Sequence, residues 1–447
     1  MTLKKFFLLV AAMVLAFALA ACSNDEESSA DGENGGSTDN TESDNESDNT
    51  DNAGNGDNVV LDFWVFGSTG YDQLIEEYKE VNPNVTINFN EGEMNDMHNN
   101  LFTSLSAGSG APDIAMVEVS EVAKFLEASG QFYNLNDYGA ADVAGNFLDW
   151  KWQQAQSVDG SFQLGLPTDI GPTTMFYRTD VIEEAGLPTD PEALAAEIAT
   201  WDAYYDAAKT IKEATGKPIS DSPMLLFNSI RDQQSQQYFN EQDELIIEET
   251  VKEAYDFTTK LLQEDLVGQN ALWTPEWGSA MEDGSYAILP GAPAWMIGNV
   301  KGNAPNSAGK WSLTTIPEGA GNWGGSFLTI PAESDHPEEA FEFIAWLTAP
   351  EQQLKSFHSM GLFPSAPSVY EDEAFLATTD EYFSGAQTAK IFAEAAESVV
   401  PVYMGVNYSI VNTELETAIM NVAVEGADPQ GEWDAAVQRI EQQLSRQ

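Results

Sequence analysis

The sequence predicts an α/β fold in two lobes, with mainly parallel sheets flanked by helices. Two observations carry that expectation. From residue 59 onward, short β-rich runs alternate with helical patterns, an order that implies βαβ units with right-handed crossovers. Residues 59–447 are also too many for one hydrophobic core, so two lobes are expected.

The elements follow in order. "VVLDFWVF" (Val59–Phe66) has little polar alternation and reads as a strand buried on both faces. Gly67 to Gly70 break it. "YDQLIEEYKE" then places Leu74, Ile75 and Tyr78 on one helical face, and Asn82-Pro83-Asn84 ends that helix. "VTINF" (Val85–Phe89) is the next strand, followed by a helix through Asn100–Ala107 and the strand "DIAMV" (Asp113–Val117). Longer helices come later, at Trp201–Thr215 and Thr250–Glu264. Strands return at Ser285–Leu289, Trp311–Pro317 and Ser326–Pro331. His336-Pro337-Glu338-Glu339 opens a helix with proline in its first turn and acids at its positive end. From there the chain is mostly helical, and no internal repeat is visible.

The N-terminus is built differently. Lys4 and Lys5 precede an apolar run, Phe6–Ala18, that is short for a membrane-spanning helix. A positive start, a short apolar core and small residues before a cut make a secretory signal, residues 1–21. Leu19-Ala20-Ala21-Cys22 resembles the lipobox of bacterial lipoproteins, which implies that the Cys22 thiol carries lipid and becomes the new N-terminus. Cys22 is the chain's one cysteine, so the body must fold without disulfides. Residues 23–58 are almost wholly Ser, Asn, Asp, Glu, Gly and Thr, a composition that cannot bury enough apolar surface to order itself. Cys22 and this disordered acidic tether (22–58) would hold a folded body on the outer face of a cell membrane, on a leash reaching about 30–36 Å.

Charge excludes several classes of partner. The chain has 73 Asp and Glu against 18 Lys and Arg, a formal net charge of −55. A field of that sign repels nucleic acid and anionic lipid, which leaves the lipid anchor as the membrane attachment. The histidines, His98, His336 and His358, are scattered without a ligand pattern, and no metal or cofactor is expected. No G-x-S-x-G, H-E-x-x-H or P-loop motif occurs.

Six segments in this order carry a resemblance: "LDFWVF…LIEEYKEVNPNVTINF", "SLSAGSGAPDIAMV", "LGLPTDIGPTTMFYRTDVIEEAGLP", "EDGSYAILPGAPAWM", "GNWGGSFLTIP" and "HPEEAFEFIAWLTAPEQQ". Together they resemble the carbohydrate-binding, maltose-binding-protein-like solute-binding lipoproteins of bacterial ABC importers. The resemblance implies a periplasmic-binding-protein-like fold whose chain crosses between lobes near Asp169–Pro172, Gly325–Leu328 and Gly361–Pro364. The N-terminal lobe would then comprise 59–169 and 327–360, and the C-terminal lobe 170–326 and 361–447. It further implies a monomer that captures an oligosaccharide by hinge closure and delivers it to the transmembrane subunits of a permease. "GNAPNSAGKW" followed by "GNWGGSFLTIP" resembles cellobiose and cello-oligosaccharide binders. A secreted glycoside hydrolase is the alternative, since two carboxylates at a sugar cleft would serve it.

Sugar sites combine flat aromatics for C–H faces with carboxylates, amides and Arg for hydroxyls. Ligands of open α/β sheets lie beyond the carboxyl ends of the strands, which selects Ser68 and Tyr71 after the first strand and Glu118 after "DIAMV". Trp323 is flanked by glycines that leave its indole little local cover. Arg231 and Tyr238 lie in the amide-rich "RDQQSQQYFN". The resemblance adds Asp169 at the first crossing, Trp295 in a loop that carries a stacking tryptophan, and Tyr403 and Tyr408 in a loop that supplies an aromatic wall. Trp273 and Trp277, framing a loop before a helix, rank behind these, and Trp64 and Trp346 are placed in the core.

Overall fold

Two sheets divide the strands, as seen in a computed structural model that describes residues 58–446. The first has five strands: β1 (Val59–Phe66), β2 (Val85–Gly92), β3 (Ile114–Glu118), β4 (Gly165–Pro167) and a return strand from far along the chain, Ser326–Thr329. Its spatial order is β2-β1-β3, then the return strand, then β4. After β4 come β5 (Asp169–Ile170) and β6 (Thr174–Arg178), then β7 (Ile288–Ala292) and β8 (Trp311–Thr314). The return strand is β9, and β10 is Phe363–Pro364. The second sheet is β7-β6-β8, and β5 pairs with β10 alone.

The two-lobed α/β fold stands, but the first sheet is mixed and the second is antiparallel. β1 pairs parallel with β2 and β3. β9 runs antiparallel to both β3 and β4, and β6 runs antiparallel to β7 and β8. The cause is connectivity: β9 enters the first sheet from the other lobe, and its direction is set by the crossing rather than by a βαβ unit.

Packing follows the two-residue period of the strands. In β3, Ile114 and Met116 face a core with the helices Tyr71–Val81 and Pro337–Leu347, while Ala115 and Val117 face another with Met94–Ala107 and Val122–Glu127. β3 is therefore buried on both faces, as was expected of β1. In β1 only Leu61, Phe63 and Val65 are sealed; Val60 and Asp62 are exposed and Trp64 is half-buried. Next to Phe66, the helix Met94–Ala107 reaches β1 through His98, with ring centroids 5.1 Å apart. Trp346 is half-buried too, against Tyr78.

Around the second sheet, Met175, Tyr177 and Ile288 face the helices Trp201–Thr215, Lys252–Gln263 and Tyr408–Met420, while Phe176, Leu289 and Leu313 face Pro275–Asp283 and Thr388–Ser398. Trp201–Thr215 has the expected bounds because both caps are local: the Thr200 side chain accepts the Ala203 N–H, and Gly216 closes the helix at φ 72°. The helix expected at Thr250–Glu264 begins at Lys252, after a separate turn at Ile247–Thr250. Met404 packs against cores of both lobes, and Trp150, from the helix Asp149–Gln154, reaches cores of the second. The expected signal, Cys22 and the tether up to residue 57 lie outside the described residues.

One buried acid makes stability pH-dependent. Asp221 is 3 % exposed, and neither carboxylate oxygen has a hydrogen-bond partner among the described residues. Burial pushes its pKa up to about 7. The unfolded carboxyl titrates near 3.9, so the native state holds this proton more tightly and stability falls as pH rises from about 4 through 7, by at most about 4 kcal/mol. In Asp221→Asn the melting temperature should vary less between pH 5 and 8 than in the wild type. An unchanged slope in thermal melts would assign the titration to another group.

Candidate functional site

Four predicted residues gather where β1, β3 and β4 end. Ser68 is exposed on the turn after β1. Tyr71, the first residue of its helix, is buried with its ring stacked on Phe63 at 6.1 Å. Its hydroxyl lies beside Thr168 and Asp169, and burial and the Asp169 charge keep it protonated. Asp169 Oδ1 accepts the Thr168 hydroxyl at 2.6 Å and the Ser326 N–H at 3.1 Å. Glu118 Oε2 accepts the Ser120 N–H at 2.7 Å and also the Ser120 hydroxyl. The Glu118 N–H donates to His98 Nε2 at 3.1 Å, which uses that nitrogen as an acceptor and suits a neutral imidazole. Burial raises the pKa of both carboxyls, and their hydrogen bonds and the nearby Lys151 oppose it. Sequence reasoning did not select Lys151.

The aromatic wall lies at the crossing itself. Trp323 donates its N–H to the Gly171 carbonyl at 2.8 Å, and the Gly171 N–H donates to Asn322 Oδ1 at 2.9 Å. A side chain at 171 would overlap the Trp323 carbonyl, so glycine is required there by space. The Trp295 ring meets Trp323 edge-on at 5.0 Å and donates Nε1–H to the Trp323 carbonyl at 3.3 Å. Trp273 stacks on Trp295 at 6.1 Å with planes 26° apart, and it also reaches Trp323 at 6.2 Å. Trp273 is 57 % exposed and sits at φ 66°, a strained backbone for a bulky residue. It joins Trp295 and Trp323 as an equal member of the wall. Trp277, 2 % exposed, supports it from below at 5.1 Å.

The third group is mostly internal. Arg231 and Tyr238 are buried, Tyr238 completely. The Arg231 guanidinium donates to Asp232 Oδ1 at 2.8 Å, to the Tyr238 hydroxyl at 2.9 Å and to Asn412 Oδ1 at 2.7 Å. These donors, expected to meet a ligand, are engaged by the protein. Tyr408 packs on Tyr238 at 4.9 Å and lies close enough to Glu118 of the first lobe to feel its charge. Half-buried Tyr403 donates its hydroxyl to Asp243 Oδ1 at 2.9 Å and feels Glu127 of the first lobe. The structure thus brings together Tyr71, Glu118 and Asp169, with Ser68 exposed on the turn before Tyr71, and separately Trp273, Trp295 and Trp323. Arg231 and Tyr238 stand behind Tyr408 as its support.

Two sheet-based lobes joined at paired crossings, with aromatic and carboxylate groups beside those crossings, define a two-lobed binding protein. Residues 67–354 match the bacterial extracellular solute-binding protein family, and the chain belongs to it. It is similar to the arabinooligosaccharide-binding protein of Halalkalibacterium halodurans, 28 % identical over 73 % of this chain and 74 % of that one. It is also similar to the lactose-binding protein of Rhizobium radiobacter, 29 % identical over 78 % of this chain and 82 % of that one. A crystal structure of an extracellular solute-binding protein of family 1 is 34 % identical, with a TM-score of 0.82, covering 86 % of this chain and 99 % of that one. The galacto-N-biose-/lacto-N-biose I-binding protein of Bifidobacterium longum shares the fold at 22 % identity and a TM-score of 0.72, over 88 % of this chain and 98 % of that one.

Gly171→Ala should destabilise the fold by about 2–3 kcal/mol, because the added methyl must displace the Trp323 backbone. Thermal melts and tryptophan fluorescence would both register it. A variant with wild-type melting and emission would show that the crossing has more room than its geometry allows.

Proposed function

We propose that this protein captures a short neutral oligosaccharide between its lobes and, by closing on it, presents it to the transmembrane subunits of an ABC permease. The carrying observation is the joined wall of Trp273, Trp295 and Trp323 at the lobe crossing, whose Trp323 segment pairs with Gly171, two residues from Asp169. Indole faces suit the C–H faces of sugar rings, and the carboxylates of Asp169 and Glu118 suit hydroxyl donors. Ser68, Tyr71, Tyr403 and Tyr408 complete the proposed lining, with Arg231 and Tyr238 behind it. The lobe division that goes with this reading is 59–169 with 327–360 and 170–326 with 361–447; the separate sheets, β1–β4 with β9 and β6–β8, support it.

The names of relatives widen the choice of sugar. The resemblance of "GNAPNSAGKW" followed by "GNWGGSFLTIP" to cello-oligosaccharide binders favours a cello-oligosaccharide, and the relatives' names suggest arabino-oligosaccharides and lactose. Stoichiometric binding without turnover is the behaviour proposed, and it separates a receptor from a glycoside hydrolase. Titration with cellobiose, cellotriose, arabinotriose and lactose should identify a ligand. Trp323→Ala or Trp295→Ala should then weaken it by about 2 kcal/mol or more, some 30-fold, with the fold retained. The bound sugar should also reduce the radius measured by solution scattering, because only the closed form satisfies both walls. Tight binding with an unchanged scattering profile would remove the closure mechanism.

Anchoring by lipid at Cys22 belongs to the same proposal and places the receptor on the outer face of the membrane. Acyl chains, at about 0.8 kcal/mol per buried CH₂, would hold the acidic body there. Cys22→Ser should release the protein into the medium in cell fractionation. Retention of the variant at the membrane would remove the anchor.

A further inference from the structure

We propose that Lys151 is a positioning residue for the sugar, a buried cation that stands behind the Asp169 and Glu118 carboxylates without touching the ligand. The inference rests on the sugar-binding reading above and goes beyond it by assigning a role to a side chain outside the lining.

The geometry separates the lysine from its two acids. Lys151 is completely buried, and its ammonium has no hydrogen-bond partner and no carboxylate oxygen within 4.0 Å among the described residues. It lies 4.1 Å from the centre of the Phe327 ring. Gly325, at φ 87°, closes over it: a Cβ there would stand 2.9 Å from Lys151 Nζ and 2.5 Å from the Asp169 carbonyl oxygen. Asp169 is 4 % exposed and Glu118 partly exposed. One oxygen of each is committed to Thr168 and Ser326 or to Ser120, and the second has no hydrogen-bond partner among the described residues. The acids therefore present one free acceptor apiece while the cation sits underneath.

Lysine is almost never fully buried unless paired, and buried Asp169 and partly buried Glu118 without a counter-charge would take up protons. Each therefore accounts for the other. Burial pushes the lysine down to about 8, while the charges of Asp169 and Glu118 hold it up. Burial pushes both acids up, and Lys151 pulls them back. The other groups around them are the Tyr71 phenol, kept neutral, Glu121, which raises Glu118 further, and His98, kept low by burial. Loss of the lysine proton above about pH 8 removes the counter-charge, so affinity should fall on the alkaline side.

The test uses whichever of cellotriose, arabinotriose and lactose binds the wild type, titrated from pH 6 to 9.5. Wild-type affinity should decline with a midpoint near pH 8. Lys151→Met should bind about tenfold or more weakly at pH 7 and lose that alkaline limb. Its melting temperature should fall, and adding Asp169→Asn should restore part of it, because the uncompensated carboxylate is gone. A Lys151→Met protein with wild-type affinity and pH profile overturns the proposal, as does a wild type whose affinity is flat through pH 9. If Lys151→Met does not fold, the wild-type profile and the double variant still decide. Failure of the wild type to bind any of these sugars would overturn the sugar-binding reading itself, a result distinct from the others.

Discussion

Two backbones that meet with no side chain between them set the geometry of the cleft. At Gly171 the chain leaving the first lobe lies against the Trp323 carbonyl of the chain returning to it, and at Gly325 it lies against the carbonyl of Asp169. The pairing of β5 with β10 places a third strand of chain beside them, through Ile170–Phe363 and Asp169–Pro364. Everything proposed for the ligand is referred to this junction. Trp323 is fixed by its N–H to Gly171, Trp295 by its indole N–H to the Trp323 carbonyl, and Asp169 by the Ser326 N–H. If the lobes close on a ligand as proposed, a wall and a floor built on the same few peptide units would keep their mutual distance, which is what preorganisation asks of a hinge that also carries a site.

The fold was legible because its signals are local. Helix Trp201–Thr215 carries both of its caps in sequence, and the alternation of strand and helix reports the α/β class without knowledge of contacts. Strand direction was not legible, since β9 takes its direction from the lobe crossing and β6 pairs with β7 and β8 across more than a hundred residues. The same distinction runs through the site. Trp323 could be found because the glycines beside it stand next to it in the chain. Lys151, between two tryptophans on a short helix, looks like an ordinary solvated lysine; Phe327 and Gly325, which bury it, lie far along the chain. The exposure of Trp273 depends on a left-handed backbone that sequence does not announce. The amide-rich segment of Arg231 and Tyr238 reads as open, and it takes Asn412, from the helix Tyr408–Met420, to engage both side chains.

Charge acts on two scales that should be kept apart. A net charge of −55 gives the whole chain a strongly negative field, but salt screens that field within about 10 Å at 0.1 M. The floor of the cleft is a different case. There two acids and one lysine sit in a low-dielectric setting, where the lysine feels both acids and each acid feels the lysine. Surface acidity can vary with habitat without touching the site, whereas a change at the lysine acts on both acids.

This arrangement also explains why carboxylates are workable acceptors for a neutral ligand. A carboxylate makes a stronger hydrogen bond to a hydroxyl than an amide does, but once water is excluded it carries a large desolvation cost. A cation in direct contact would reduce that cost while occupying the oxygens the sugar needs. Lys151 lies beyond ion-pair distance, its nitrogen over the Phe327 ring, so in the proposed role it would lower that cost without occupying the carboxylate oxygens. The indoles opposite add contact area with little directional demand. Discrimination between sugars would then rest on which hydroxyls reach those two free oxygens.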